Sequence, residues 1–378
     1  MSVKAVAIVA EYNPFHNGHL YQLTQAKQQT QADVVIALMS GNWMQRGEPA
    51  IFDKWQRART ALSHGIDLVV ELPFATAVQP ANLFAMGAVR LASELNASYL
   101  SFGAENPTMD YQTLIDHQPD AIVFRRFDQT YATLYQQFLN ESTGIKLNQP
   151  NDILAYSYAN ANHQLGNPIQ LVPIQRLGSQ HNDQDLNINR QISSATAIRK
   201  TIIKQQLQLL DLTVPKATLE LIKDNQPLNW TQFWPLLRYE LVETPINELH
   251  QIYQMTEGIE YRLKKAAEKA TSFDEFVHLV KTKRYTYARI RRLCVYVLTH
   301  AYDTEVKKAT DYARILGFTA TGQRYLNQVK KEIAIPMITK MTDDLSRGMM
   351  ALDYRAGMLI QLINNQPQDF YQRPIMIK

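Results

Sequence analysis

Short apolar runs recur through the first 200 residues, separated by stretches of helical spacing. Ala5–Val9, Val34–Met39, Leu68–Glu71, Tyr99–Phe102, Ala121–Phe124 and Gln170–Pro173 read as strands. Leu20–Gln28, Asp53–His64 and Ala81–Leu95 read as helices between them. Runs this short and uniformly apolar suit strands buried on both faces. Their alternation with helices points to a doubly wound α/β domain built on a parallel sheet. Ligands of such sheets bind beyond the carboxyl ends of the strands.

The texture changes after about residue 205. Leu, Lys, Gln and Glu at helical spacing replace the β-branched runs, and Pro215, Pro227, Pro235 and Pro245 are expected to break the segment into short helices. Residues 1–205 are therefore expected to form the α/β domain and 206–378 a mostly α-helical one. The final stretch, "QPQDFYQRPIMIK", reads as an irregular tail. No apolar stretch approaches the roughly 18 residues that a membrane helix needs, and no basic segment leads into a hydrophobic one as in a secretory signal. The single cysteine, Cys294, lies among apolar residues and suits a reducing, cytoplasmic setting. A net charge of +4 permits an anionic partner without requiring one.

The first apolar run ends in a polar turn: "AVAIVAEYNPFHNGHL", Ala5 to Leu20. Gly18 has no Cβ, so a ligand's phosphates can approach the backbone there. The helix that follows should offer free N–H groups and a favourable dipole to an anion. His16 and His19 can donate to phosphate oxygens, an arrangement suited to stabilising charge that develops at phosphorus. Ordinary turn and cap residues would also explain two histidines, and H-x-x-H without a cysteine cluster argues poorly for zinc, so no metal site is assigned. Far downstream, "ISSATAIRK" (Ile192–Lys200) opens a helix with hydroxyls and N–H groups, and Arg199 can clamp a phosphate.

"NPFHNGH" after a first strand resembles the H-x-G-H motif of the nucleotidyltransferase superfamily, whose α/β fold is related to the class I aminoacyl-tRNA synthetase domains. "ISSATAIRK", about 175 residues later, resembles the same superfamily's ISSTxIR motif. With "MSGNWMQRGEPA", "DLVVELP", "SFGAE" and "PNDILAYSY" in order, the chain resembles the bacterial tRNA(Met) cytidine acetate ligase family. The resemblance is dense over the first 200 residues and looser beyond. It implies that acetate and ATP give acetyl-adenylate and pyrophosphate, and that the acetyl group then passes to N4 of the wobble cytidine of elongator tRNA(Met). It implies ATP contacts from Val9, Ala10, Glu11, Tyr12, Asn13, Pro14, Phe15, His16, Asn17, Gly18, His19 and Leu20, and from Gly103, Asn151, Arg176, Ser194 and Thr196. His16, His19 and Arg199 are the implied catalytic residues, with Mg2+ accompanying the ATP phosphates. The downstream motif reads Ser-Ser-Ala-Thr here, which leaves open which hydroxyl meets phosphate. Asn151 could equally cap a helix at Asp152. Arg46 could reach phosphate or acetate, and Ser40-Gly41-Asn42 is the suggested acetate pocket.

In the second half, "KTKRYTYARIRRLCVYV" (Lys281–Val297) carries six bases and no acid between Lys281 and Arg292. A helical wheel sets Lys281, Tyr285, Arg289 and Arg292 on one face, opposite Tyr287, Ile290, Cys294 and Val297. Together with Arg284, that outward basic stripe is the expected tRNA surface. A plain solvated face remains the simpler alternative. Arg262, Lys264, Lys265, Lys307 and Lys308 could extend the stripe. Two rival functions stand beside the ligase: a small-molecule adenylyltransferase or carboxylate-activating synthetase of the same superfamily, and a non-enzymatic RNA-binding protein.

Overall fold

A computed structural model describes residues 3–117, 131–177 and 192–377. The expected strand at Ala121–Phe124 lies outside them. The sheet strands are β1 (Ala5–Ala10), β2 (Val34–Ser40), β3 (Leu68–Leu72), β4 (Tyr99–Ala104), β5 (Gln170–Gln175), β6 (Ala313–Thr319), β7 (Met337–Ile338) and β8 (Ile375–Ile377). Their order is β5-β4-β1-β2-β3-β6-β7, with β8 paired to β6. The first five strands are mutually parallel, with Ala5 opposite Val34 and Ala7 opposite Leu100. The chain steps outward from β1 to β2 and β3, then crosses back to place β4 on the other side of β1. That reversal opens a crevice beyond the carboxyl ends of β1 and β4.

Alternation along β1 sends neighbouring side chains to opposite faces of the sheet. Val6 and Ile8 pack with Leu23 and Ala26 of α1 (Asn17–Thr30) and with Ala58 and Ala61 of α2 (Lys54–Ser63). Ala5 and Ala7 pack on the other face with Phe84 and Ala88 of the helix Ala81–Glu94 and Tyr158 of the helix Pro150–Gln164. All seven residues of β2 are buried, as expected for a strand covered on both sides.

Residues beyond 205 are mostly helical, but the sheet does not end there. β6 pairs antiparallel with β3, and β7 and β8 add to β6. A Cβ on Gly317 would fall 2.6 Å from Leu62 Cδ1 and 2.8 Å from Ile375 O, so glycine lets β8 lie close. The final stretch is therefore not an irregular tail. Gln368 and Asp369 are buried, and Asp369 Oδ1 accepts from Lys54 Nζ at 2.9 Å and Arg314 Nη1 at 2.6 Å. Pro235 also departs from expectation, because it lies inside the helix Trp230–Glu243 rather than ending it. The helical part packs directly onto the first: Trp43 sits 5.5 Å from Trp230 and 5.0 Å from Phe233 in one shared core. Among the described residues, no helix is long and apolar enough to cross a membrane.

Candidate nucleotide site at the end of the first strand

Beyond β1, Tyr12 takes φ +46° and Asn13–Pro14 is cis. His16 then caps α1 from an extended conformation. Its Nδ1 accepts the Gly18 N–H at 3.0 Å, while the His16 N–H donates to His19 Nδ1 at 3.2 Å. The two imidazoles thus form a capping box of the kind usually made by Ser and Glu. Both Nδ1 atoms act as acceptors, which places each neutral ring's proton on Nε2, free to donate elsewhere. The rings stack with centroids 3.8 Å apart. A Cβ on Gly18 would meet His16 Cε1 at 2.8 Å, so this glycine makes room for an imidazole.

That geometry corrects the expectation of free N–H groups at the helix start. The Asn17 N–H donates to Thr213 O at 3.2 Å, the Gly18 N–H to His16, and the His19 N–H to His16 O at 2.8 Å. What this corner can offer an anion is instead the imidazole Nε2–H groups and the guanidiniums of Arg176 and Arg199, which act on His16. Burial pushes the His16 pKa down to about 3, and Arg176 and Arg199 act in the same direction. His19 is lowered by burial first, then by His16 and Arg176. Both rings are therefore neutral donors near pH 7.

A stability consequence follows. Unfolded, the His16 imidazole titrates near 6.5, but folded it stays neutral until about 3. As pH falls below 6.5 the unfolded chain binds a proton that the native state refuses, so stability drops across that window. His16→Asn keeps a capping side chain and removes this titration. Urea midpoints from pH 6.5 to pH 4 should fall less steeply for that variant than for the parent, and equal slopes would mean that His16 is already charged in the fold.

The downstream motif closes on this turn. Ser194 caps the helix Ala195–Ile203, its Oγ accepting the Ala197 N–H at 3.0 Å. Arg199 donates to Asn13 O at 2.9 Å and to Thr196 Oγ1 at 3.3 Å, with Glu48 Oε2 3.6 Å away. Ser194 and Thr196 thus have structural work of their own, whereas the buried Ser193 Oγ has no partner among the described residues. Asn17 ties the turn to the same region through Leu212 O at 2.8 Å.

Across the crevice, Gly103 lies under Arg176, whose Cγ would be 3.3 Å from a Cβ there. Glu105 organises this wall. Its carboxylate accepts from Asn151 Nδ2 at 2.5 Å and the Asp152 N–H at 3.0 Å, and lies 3.7 Å from Arg176 Nε. The helix begins at Pro150 with Gln149 as its cap, so Asn151 is a first-turn residue and not the cap. The rest of the turn is scaffold. Asn13 Oδ1 accepts the Ile51 N–H at 2.7 Å, Glu11 Oε1 accepts the Gln45 N–H at 2.9 Å, and Tyr12 and Phe15 are buried beside His19. Val9 and Ala10 end β1, Pro14 is buried, and Leu20 points outward.

A family model described as HIGH Nucleotidyl Transferase matches residues 3–373. Over 376 residues the chain is 50% identical to the tRNA(Met) cytidine acetate ligase of Levilactobacillus brevis, covering 99% of this chain and 98% of that one. The chain belongs to this ligase family within the HIGH nucleotidyl transferases. It is 47% identical to the tRNA(Met) cytidine acetate ligase of Limosilactobacillus fermentum, over 99% of this chain and 100% of that one. It is also similar to apo Thermotoga maritima TmcAL, with TM-score 0.89 and 28% identity over 99% of each chain. The same protein bound with alpha-thio ATP gives TM-score 0.87 and 29% identity, again over 99% of each.

For this member of the ligase family, two sequence expectations need correction. The first concerns acetate. Asn42 is spent holding the Lys54 N–H and Gln368, and a Cβ on Gly41 would lie 2.4 Å from Glu71 Oε1. The adjacent pocket is lined by Glu71 and Asp353 as well as Lys54. Lys54 is already paired with Glu71 and Asp369, so the pocket does not suit a carboxylate.

The second concerns the basic stripe. Thr286 caps a helix that starts at Tyr287, and Lys281 ends the previous one, Phe273–Val280. The wheel counted from Lys281 therefore has the wrong phase. Tyr285 is buried and donates its OH to Glu257 O at 3.3 Å. Arg284 and Arg289 both pair with Glu257, at 2.7 and 3.3 Å. Arg292 is buried, and Tyr287 is exposed instead, with Lys281 Nζ 5.5 Å from its ring centre.

Two further positioning residues went unnoticed in the sequence. Buried Arg57 donates to Glu11 O at 2.6 Å, Phe52 O at 2.9 Å, Ser40 O at 3.1 Å and Gly41 O, pinning the ends of β1 and β2. Glu48 joins Arg199 to Arg291, whose Nη1 is 2.7 Å from Glu48 Oε1. Neither role has a local signal, because each depends on partners far along the chain.

Proposed function

We propose that this chain activates acetate with ATP and transfers the acetyl group to N4 of the wobble cytidine of elongator tRNA(Met). The observation that carries the reading is the convergence of His16, His19, Arg176 and Arg199 at the crevice beyond β1 and β4. Two neutral N–H donors and two cations face the place where a triphosphate would lie. Acetate is already ionised at neutral pH, so the first step needs alignment and charge stabilisation rather than a base. One acetate oxygen forms a bond to the α-phosphorus while the bond from that phosphorus to the departing pyrophosphate breaks. The imidazole donors and guanidiniums stabilise the charge carried by the phosphate oxygens during that exchange. In the second step the cytidine N4 attacks the acetyl carbon, AMP leaves with the electron pair, and N4 loses a proton.

Among the described residues, no group of three or more His, Cys, Asp or Glu could hold a metal ion. The described residues thus offer no such cage for Mg2+, and a Mg2+ that travels with ATP would be held by phosphate oxygens and water. No step is assigned to it. Residues 1–205 supply the nucleotide crevice. Residues 206–378 supply the RNA-facing surface and complete the sheet through β6–β8. The RNA surface includes Arg284 and Arg289, both paired with Glu257, and Lys281 beside the exposed Tyr287.

Exchange of labelled pyrophosphate into ATP tests this. Acetate should support exchange, and labelled acetate with ATP and tRNA should yield acid-stable acetyl-RNA. Exchange with a different carboxylic acid but not with acetate would transfer the support to a small-molecule synthetase. Binding of RNA with no exchange at all would favour the non-enzymatic alternative.

A further inference from the structure

Three arginines follow one another on the helix Tyr287–Leu298, and two of them have acidic partners. Arg289 is held by Glu257 and by Thr256 Oγ1 at 3.0 Å, and Arg291 is held by Glu48. The Arg292 side chain makes no hydrogen bond or ion pair among the described residues, although the residue is only 8% exposed and its Nε is buried. The other buried guanidiniums of this protein have acceptors: Arg57 donates to the carbonyls of Phe52, Glu11, Ser40 and Gly41, and Arg314 is held by Asp369 and Glu71. A buried cation without acceptors is costly unless something anionic arrives.

The charged and phenolic groups that act on Arg292 are Tyr296, Arg289, Arg46 and Tyr253, and the carboxylates of Glu48 and Glu257 are taken up by Arg291 and Arg289. Both phenols are already engaged, Tyr296 OH with Val78 O and Tyr253 OH with Gln79 Oε1. Arg46 comes from the other half of the chain, and the loop carrying it is fixed in place. Gly47 has φ +75° and presses on the helix so closely that a Cβ would lie 2.3 Å from Arg292 N. Its carbonyl accepts from Trp230 Nε1 at 3.1 Å, and Glu48 is tied to Arg291. The same loop reaches the nucleotide crevice, because the Gln45 N–H donates to Glu11 at the end of β1.

We propose that Arg292 and Arg46 form a two-arginine site for one oxyanion, a backbone phosphate of the RNA flanking the nucleotide that enters the crevice. This rests on the reading that RNA is the acetyl acceptor. Arg46 is exposed and Arg292 is buried, so the site opens outward at one end as a phosphodiester requires. A phosphate held there sets the register of the strand without reading its bases. Acetate is the other source of an oxyanion, and the test separates the two.

Arg292→Gln, Arg292→Lys and Arg46→Gln are compared with the parent in pyrophosphate exchange and in acetyl transfer to tRNA. Each Gln variant should raise the KM for tRNA about tenfold or more and lower the slope of log affinity against log salt by about 1. The KM for acetate in exchange should stay within about twofold, and Arg292→Lys should recover part of the tRNA affinity. Inorganic phosphate should raise the melting temperature of the parent more than that of either Gln variant, a readout that holds whatever the acceptor is. A raised KM for acetate with tRNA binding intact would assign the site to the carboxylate and overturn the proposal. So would an equal phosphate effect in parent and variants. Arg46 is exposed, so a tRNA defect in Arg292→Gln that Arg46→Gln does not share would mark a packing role and also overturn it. If the parent itself shows no acetate-dependent exchange, the functional reading fails separately.

Discussion

His19→Ala should lower the rate of acetate-dependent pyrophosphate exchange by about 100- to 1,000-fold, the usual effect of removing one preorganised donor aimed at developing charge. The reason lies in the tautomer. His19 Nδ1 is occupied by the His16 N–H, so the ring can offer only Nε2–H, and its lowered pKa keeps it neutral. A neutral donor gains most when negative charge builds on the phosphate oxygens, so the loss should fall on kcat. The KM for ATP should change only a few-fold, because Arg176, Arg199 and His16 remain to hold the ground state. Capping should survive as well, since the Gly18 N–H still has His16 Nδ1 as its acceptor. A circular-dichroism melt close to that of the parent would confirm that the fold is intact. If kcat is unchanged and only the KM for ATP rises, His19 is a binding group and its assigned role in the transition state is wrong.

The turn was legible in the sequence because its information is local. A strand end, a glycine and two histidines within a few residues already define a capped helix entrance after β1, and the strand runs from β1 to β5 could be read within a residue or two of their ends. The downstream motif was legible as a helix start, with Ser194 as its cap. What stayed hidden depends on distance along the chain. Glu105 gathers Asn151 and Arg176 from 46 residues away or more. Glu48 links residues from both halves, and β6 reads as one more apolar run in a helical region until β3 pairs with it. The misread basic stripe has a different cause. Thr286 was available as a cap signal, but the wheel ran through it from Lys281, and a helix that restarts at Tyr287 turns Arg292 inward.

Distance along the chain also explains the second large effect, expected at the end of the sequence. Lys54, Glu71, Arg314 and Asp369 are almost fully buried together. Lys54 Nζ lies 3.0 Å from Glu71 and 2.9 Å from Asp369, and Arg314 lies 2.6 Å from Asp369 and 3.5 Å from Glu71. Two cations and two carboxylates balance, while burial and the nearby Glu71 push the Asp353 carboxyl up to about 7. Asp369→Ala leaves both cations with Glu71 alone in a setting that water does not reach. Removing one partner from a buried ion pair typically costs about 3–5 kcal/mol, a large part of ordinary domain stability. The same residue fixes the segment leading to β8, so its loss should also free the end of the chain from β6. Denaturant midpoints should fall accordingly, limited proteolysis should cut near residues 366–374, and Asp369→Asn should lie between parent and alanine variant because it keeps an acceptor but loses the charge. At low temperature the folded fraction of Asp369→Ala should still exchange pyrophosphate, since the ion pairs of the cluster involve none of His16, His19, Arg176 and Arg199. A loss of stability below about 1 kcal/mol, with the terminal segment still protected, would show that apolar packing of β8 holds the end of the chain without help from the ion cluster.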